Sequence, residues 1–160
     1  METLPEIMLM MLAGTKNGET LRGPPSVSRW WFASIVPMPP MPEGVTDGIL
    51  KGLYKFRKAE GKGQHTAQIF ASGPIIRQAL RAQEILAEKF NVAADVWSIT
   101  SYKELYQDAV ECERWNLLNP MKRAKTPYLR SLLAKEKGVF VAASDYMKIL
   151  PATVAQWFPG

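Results

Sequence analysis

Between Thr66 and Thr100 the chain runs apolar strand, Gly-Pro, amphipathic helix, apolar strand, and that order narrows its folds more than anything else in the sequence. The run TAQIFAS is closed by Gly73-Pro74, and a proline in the first helical turn needs no hydrogen-bond donor there. In PIIRQALRAQEILAEKFN, Ile76, Ala79, Leu80, Leu86 and Phe90 share one helical face, with Arg77, Arg81, Glu84 and Lys89 opposite. ADVWSIT supplies the second strand. Ser101 with Glu104 three residues on is a capping-box pattern, so SYKELYQDAVECERWNLLNP, residues 101–120, is read as the next helix. After the loop NPMKRAKTP, Tyr128, Leu129, Leu132 and Leu133 predict a further helix ended by Gly138, then the strand VFVAAS and an apolar-faced segment to Phe158. The expectation is an α/β fold, a mainly parallel sheet with helices on both faces.

Upstream the signal changes. Four prolines between Pro37 and Pro42, in PMPPMPEG, exclude a regular helix and divide the chain. Residues 1–36 hold no sustained period and are read as a weakly ordered arm. Residues 37–65 are read as a connecting segment with a short helix over 45–58, capped by Thr46 and carrying Ile49, Leu50, Leu53, Tyr54 and Phe56 at helical spacings. Residues 66–160 are read as the α/β domain.

With 47% hydrophobic residues in 160, the chain can fold as one domain of moderate core. Its net charge of +5 does not by itself select an anionic partner, because acidic residues accompany most of the basic ones. A single cysteine, Cys112, excludes an internal disulfide and a thiolate cluster for metal, and fits a reducing cytoplasm. The early apolar run from Ile7 to Ala13 is too short to span a bilayer and lacks a basic leader, so neither a membrane segment nor an export signal is expected.

Few residues offer chemistry. Ser72 stands at a strand-to-helix turn, but FASGP lacks the Gly-x-Ser-x-Gly elbow that exposes a nucleophile, and a cap or turn role is favoured. His65 is the only histidine, so any triad would have to use it together with Ser72. GKG at 61–63 fits neither a Walker loop nor a dinucleotide fingerprint. Asp108, Glu111 and Glu113 suggest paired carboxylates or a hard-metal site. Helical spacing favours a polar face instead, with Trp115, Leu117 and Leu118 anchoring the helix end in a core and Cys112 buried as a small apolar residue.

Four stretches carry a family resemblance: MPPMPEGVTDGILKGLYKFRKA, ASGPIIRQALRAQEILAEKFNVAADVWSITSYKEL, DAVECERWNLLNP and VAASDYMKILPATVAQWFP. In order and spacing, from about Pro37 to Pro159, they resemble the C-terminal region of the homodimeric, thiamine-diphosphate-dependent first (decarboxylating) component of the bacterial pyruvate dehydrogenase complex. The resemblance implies a transketolase-type C-terminal domain. It also implies a whole enzyme that oxidatively decarboxylates pyruvate and passes the acetyl unit to lipoyl groups of the acyltransferase component, in the cytoplasm. The family's Gly-Asp-Gly motif for diphosphate and magnesium, its catalytic histidines and its activating glutamate belong to upstream domains, and Asp47-Gly48 does not reproduce that motif. No catalytic, cofactor-binding or metal residue is therefore carried onto this chain.

Three departures stand out. RWWFASIV replaces a family strand ending in Asn-Glu-x-Tyr, Asn119 replaces a histidine, and the sequence given stops before the closing strand, so the sheet is expected to lack it. The chain itself is expected to play a structural and dimer-contact part, alongside the remainder of the enzyme and a second subunit. Two other readings stay open: a stand-alone basic module using Lys122, Arg123, Lys125 and Arg130 on an anionic ligand or nucleic acid, and a hydrolase using Ser72 and His65. Asp145 at a strand end, with the scattered Asp95 and Asp108, is the remaining carboxylate of interest.

Overall fold

A computed structural model describes residues 15–16, 19–20, 39–61 and 63–159, in two compact units, 1–37 and 38–160. In the first, the described residues are two short strands, β1 (Thr15–Lys16) and β2 (Glu19–Thr20), paired antiparallel. The rest of the expected arm lies outside the described residues, as does Lys62 of the GKG stretch.

The second unit carries a four-stranded sheet in the order β3-β5-β4-β6. Strands β4 (His65–Ser72), β5 (Val92–Ile99) and β6 (Val139–Ala143) are parallel, and β3 (Leu53–Arg57) lies antiparallel on the edge beside β5. The mainly parallel α/β fold is thus the one expected.

Helix α1 (Thr46–Leu50) corrects the reading of 45–58 as one helix. It ends at a Gly52 whose φ is +95°, and Leu53 to Arg57 then run extended. Pairing with β5 buries Leu53 completely, which outweighs the helix-like spacing of the apolar residues.

The Gly-Pro signal is realised as one turn of tight helix, Gly73–Ile75, leading into α2 (Ile76–Phe90). Ile76, Ala79 and Gln83 of α2 are buried against Ala67, Ile69, Ala71, Ala94 and Val96 of the sheet. Phe90 is exposed, contrary to expectation. It is the last residue of the helix, where α2 has run past the amino ends of the strands, and a left-handed Asn91 turns the chain into β5.

The opposite face holds the aromatic core. Helix α3 (Tyr102–Leu118) is capped by Ser101, whose hydroxyl accepts from the Glu104 amide at 3.2 Å, as the capping box predicts. Its buried stripe is Tyr102, Leu105, Ala109 and Cys112. Leu117 and Leu118 are 83% and 70% exposed, so they do not anchor the helix end. At 100° per residue they fall well off that stripe. Two short helices, α4 (Tyr128–Leu133) and α5 (Ile149–Val154), complete the layer over Phe70, Trp97 and Phe140. Gly138 does not cap α4. It sits at the entry to β6 with φ +102°, pressed against the Thr66 carbonyl.

Candidate functional site

Ser72 and His65 occupy the two ends of β4, seven residues apart. At about 3.3 Å per residue that is roughly 23 Å, so no proton can pass between them and the hydrolase pairing falls. The Ser72 hydroxyl donates to the Ser144 hydroxyl at 2.9 Å, tying the carboxyl ends of β4 and β6 together. It makes no cap bond to the helix that follows.

The carboxylates do not converge either. Asp108 accepts from the Tyr128 amide at 2.6 Å and so starts α4, and Glu113 accepts from the Trp157 indole at 2.7 Å. Asp95 is turned to the other end of the sheet, while Asp145 is exposed beyond β6. Among the described residues no three His, Cys, Asp or Glu side chains are grouped to hold a metal ion. These donors do not fit a magnesium diphosphate, which requires several oxygen ligands in near-octahedral geometry. Cys112 is buried as expected. Desolvation, with the charges of Asp108 and Glu111, pushes its thiol above the ordinary range despite an opposing pull from Lys125, which is the reverse of an activated nucleophile.

Two features were not read from the sequence. The first is a polar cluster beneath the aromatic core. Lys55 of β3 donates to Asp95 of β5 at 2.6 Å and to Glu136, ahead of β6, at 2.9 Å, with its ammonium 4.6 Å from the Trp97 ring centre. Asp95 also accepts from the Ala59 amide at 2.8 Å. Burial pulls the Lys55 pKa down, but the hydrogen bonds and charges of the two carboxylates overcome it and hold it above the usual lysine value. Alongside, the Trp97 indole donates to Gln68, whose amide donates to the Lys137 carbonyl. These bonds link residues 40 and 81 apart in sequence, so no local spacing announces them.

The second is the outer side of α3. Tyr106, Val110 and Leu117 recur at helical spacing on a face adjoining the buried stripe, and all three are exposed. Leu118, the last residue of the helix, and Met121 just beyond it are exposed as well, Met121 being 96% exposed. Of the basic residues named from the sequence, Lys122, Arg123 and Arg130 are exposed, and Lys125 stands 4.8 Å from the Trp115 ring centre.

The transketolase-like TK C-terminal domain matches residues 52–157, from the start of the sheet to Trp157 in the aromatic core. The chain belongs to that family. Over 123 residues it is 42% identical to the pyruvate dehydrogenase E1 component of Escherichia coli K12 and 43% identical to that of Mycolicibacterium smegmatis. The counterpart from Pseudomonas aeruginosa is 37% identical over 121 residues. Each alignment covers 76% of this chain but only 13–14% of the relative, so the chain spans about one seventh of the length of the curated relatives it matches. In this transketolase-type domain, four strands fit a sheet that lacks a closing strand. No helix among the described residues is long and apolar enough to cross a membrane.

Proposed function

We propose that this chain is the transketolase-type C-terminal domain of a pyruvate dehydrogenase first component, working as a structural and contact element rather than as a centre of catalysis. The observation that carries the reading is the exposed apolar surface of α3 with Leu117, Leu118 and Met121. A lone domain gains nothing by showing it to water, and a multidomain dimer would cover it. The remainder of the enzyme and a second subunit are the proposed partners on that surface. Oxidative decarboxylation of pyruvate, acetyl transfer to lipoyl groups, and binding of thiamine diphosphate with magnesium belong, on this reading, to the whole cytoplasmic enzyme and to residues outside this chain.

The test has two arms. In calorimetry with thiamine diphosphate and magnesium, and in a pyruvate-dependent dye-reduction assay, the chain alone is expected to show neither saturable binding nor turnover. Micromolar binding, or turnover lost on Asp145→Ala, overturns the reading. Residues 39–159 exchanged into the Escherichia coli relative are expected to support pyruvate oxidation, and Leu117→Asp in that chimera to weaken its assembly. A folded chimera without activity, or one indifferent to Leu117→Asp, refutes the contact role.

A further inference from the structure

We infer that the loop closing the end of α3, residues 117–124, is a preformed docking element for an acidic segment of the remainder of the enzyme. This deepens the contact role proposed above, rests on it, and specifies the chemistry of what covers that surface.

The loop is closed at its base by one side chain. The Asn116 amide group donates to the Lys125 carbonyl at 2.9 Å, and its oxygen accepts from the Lys125 backbone N–H at 2.7 Å, joining the two ends. Inside the loop Asn119 folds back, its backbone N–H and its side chain both donating to the Trp115 carbonyl, and the Lys122 N–H donates to the Asn119 carbonyl. A loop held in this way has little freedom left to lose on binding. It presents Leu117, Leu118, Met121, Lys122 and Arg123, all exposed.

Charge selects the partner. From Arg114 to Lys135 the sequence carries six basic residues and no acidic one, and all six are exposed. Among the described residues none of the six is ion-paired. The acids on either side are engaged, Glu113 with the Trp157 indole and Glu136 with Lys55. Carboxylates complete such a surface. A phosphate backbone offers nothing to Leu117, Leu118 and Met121, and residues 116–125 contain no aromatic ring on which a base could stack. The occupant is therefore a protein segment that carries apolar side chains beside its acids. The matched region is only 13–14% of the relatives' length, and the segment belongs to what lies outside it.

Two measurements test this. A fluorescein-labelled synthetic peptide alternating leucine and glutamate is expected to bind the 160-residue chain saturably in about 0.15 M salt. Lys122→Glu with Arg123→Glu should weaken binding about tenfold, and Asn116→Ala, which removes no charge, about threefold. Arg77→Glu with Lys89→Glu on α2 makes the same change in net charge and should leave binding within about twofold. In the Escherichia coli chimera described above, a carbodiimide should couple Lys122 to an aspartate or glutamate upstream of the exchanged domain, within one subunit. Equal losses from the two double reversals, indifference to Asn116→Ala, or tighter binding to poly-uridylate or to phosphatidylglycerol vesicles overturns the inference. A chimera that needs Leu117 yet gives no such cross-link overturns it while the contact role stands. A chimera indifferent to Leu117→Asp removes both.

Discussion

Replacing Lys55 by Met keeps the length of the side chain but removes the cation that, among the described residues, Asp95 and Glu136 share. Exposed ion pairs contribute about 0.2–1 kcal/mol, whereas breaking a buried pair costs about 3–5 kcal/mol because a charge is left uncompensated. This cluster lies between those limits, with side-chain exposures of 28% for Lys55, 11% for Asp95 and 24% for Glu136. Asp95 keeps only the Ala59 amide after the change, and the contact of the ammonium with Trp97, worth about 0.5–1 kcal/mol, is also lost. A loss of about 2–3 kcal/mol is expected. Urea unfolding followed by tryptophan fluorescence reads it as a midpoint lower by about 1 M, for a slope of about 1–3 kcal/mol/M. Adding Asp95→Asn should recover part of the loss, because it removes the stranded charge. The folded pKa of Lys55 stands above its unfolded value of 10.5, so its stabilisation is complete below pH 10.5 and is lost as pH rises through the raised value. The wild-type midpoint should fall more steeply than that of Lys55→Met in that alkaline range. A shift under 0.5 kcal/mol at neutral pH, or parallel alkaline profiles, would refute the reasoning.

Three further outcomes are expected. The Tyr102 hydroxyl is buried without a hydrogen-bond partner among the described residues, so Tyr102→Phe should raise stability by about 1 kcal/mol and the thermal midpoint by several degrees; a lower midpoint counts against it. Gly138→Ala meets both a left-handed φ and the Thr66 carbonyl and should cost about 3 kcal/mol in urea, whereas Gly73→Ala, with φ +56° and open space around it, should cost about 1 kcal/mol; equal costs would refute the distinction. Cys112 should react with a thiol reagent at pH 8 only at the rate of unfolding, and stoichiometric labelling within seconds would contradict its raised pKa and burial.

What could be read in the sequence was what local chemistry announces. Gly73-Pro74 marked a strand end and a helix start, and Ser101 with Glu104 marked the next, because each is satisfied within one turn of backbone. Strand β3 was hidden because Leu53, Tyr54 and Phe56 continue the spacing of Ile49 and Leu50, although Gly52 between them was a usable breaker. The exposure of Leu117 and Leu118 was missed for another reason: hydrophobicity names candidates for burial but not the phase of the stripe, which Tyr102, Leu105 and Ala109 had already fixed. The Lys55 cluster needed the fold itself, since strand order alone brings its members together.

The strand order also sets a timetable. In β3-β5-β4-β6 no strand finds a neighbour already made before it until β5 appears: β3 pairs with β5 alone, and β4 lies between β5 and β6. During synthesis at about 5–20 residues per second, the stretch from Leu53 to Ile99 takes several seconds to emerge. Throughout that interval Leu53, Ile69 and Phe70, each buried in the finished sheet, have no strand to meet. The third strand of this sheet to be made, β5, is therefore the seed on which β3 and β4 must wait, and slowing the ribosome just before Val92 would prolong the period when this domain most needs a chaperone.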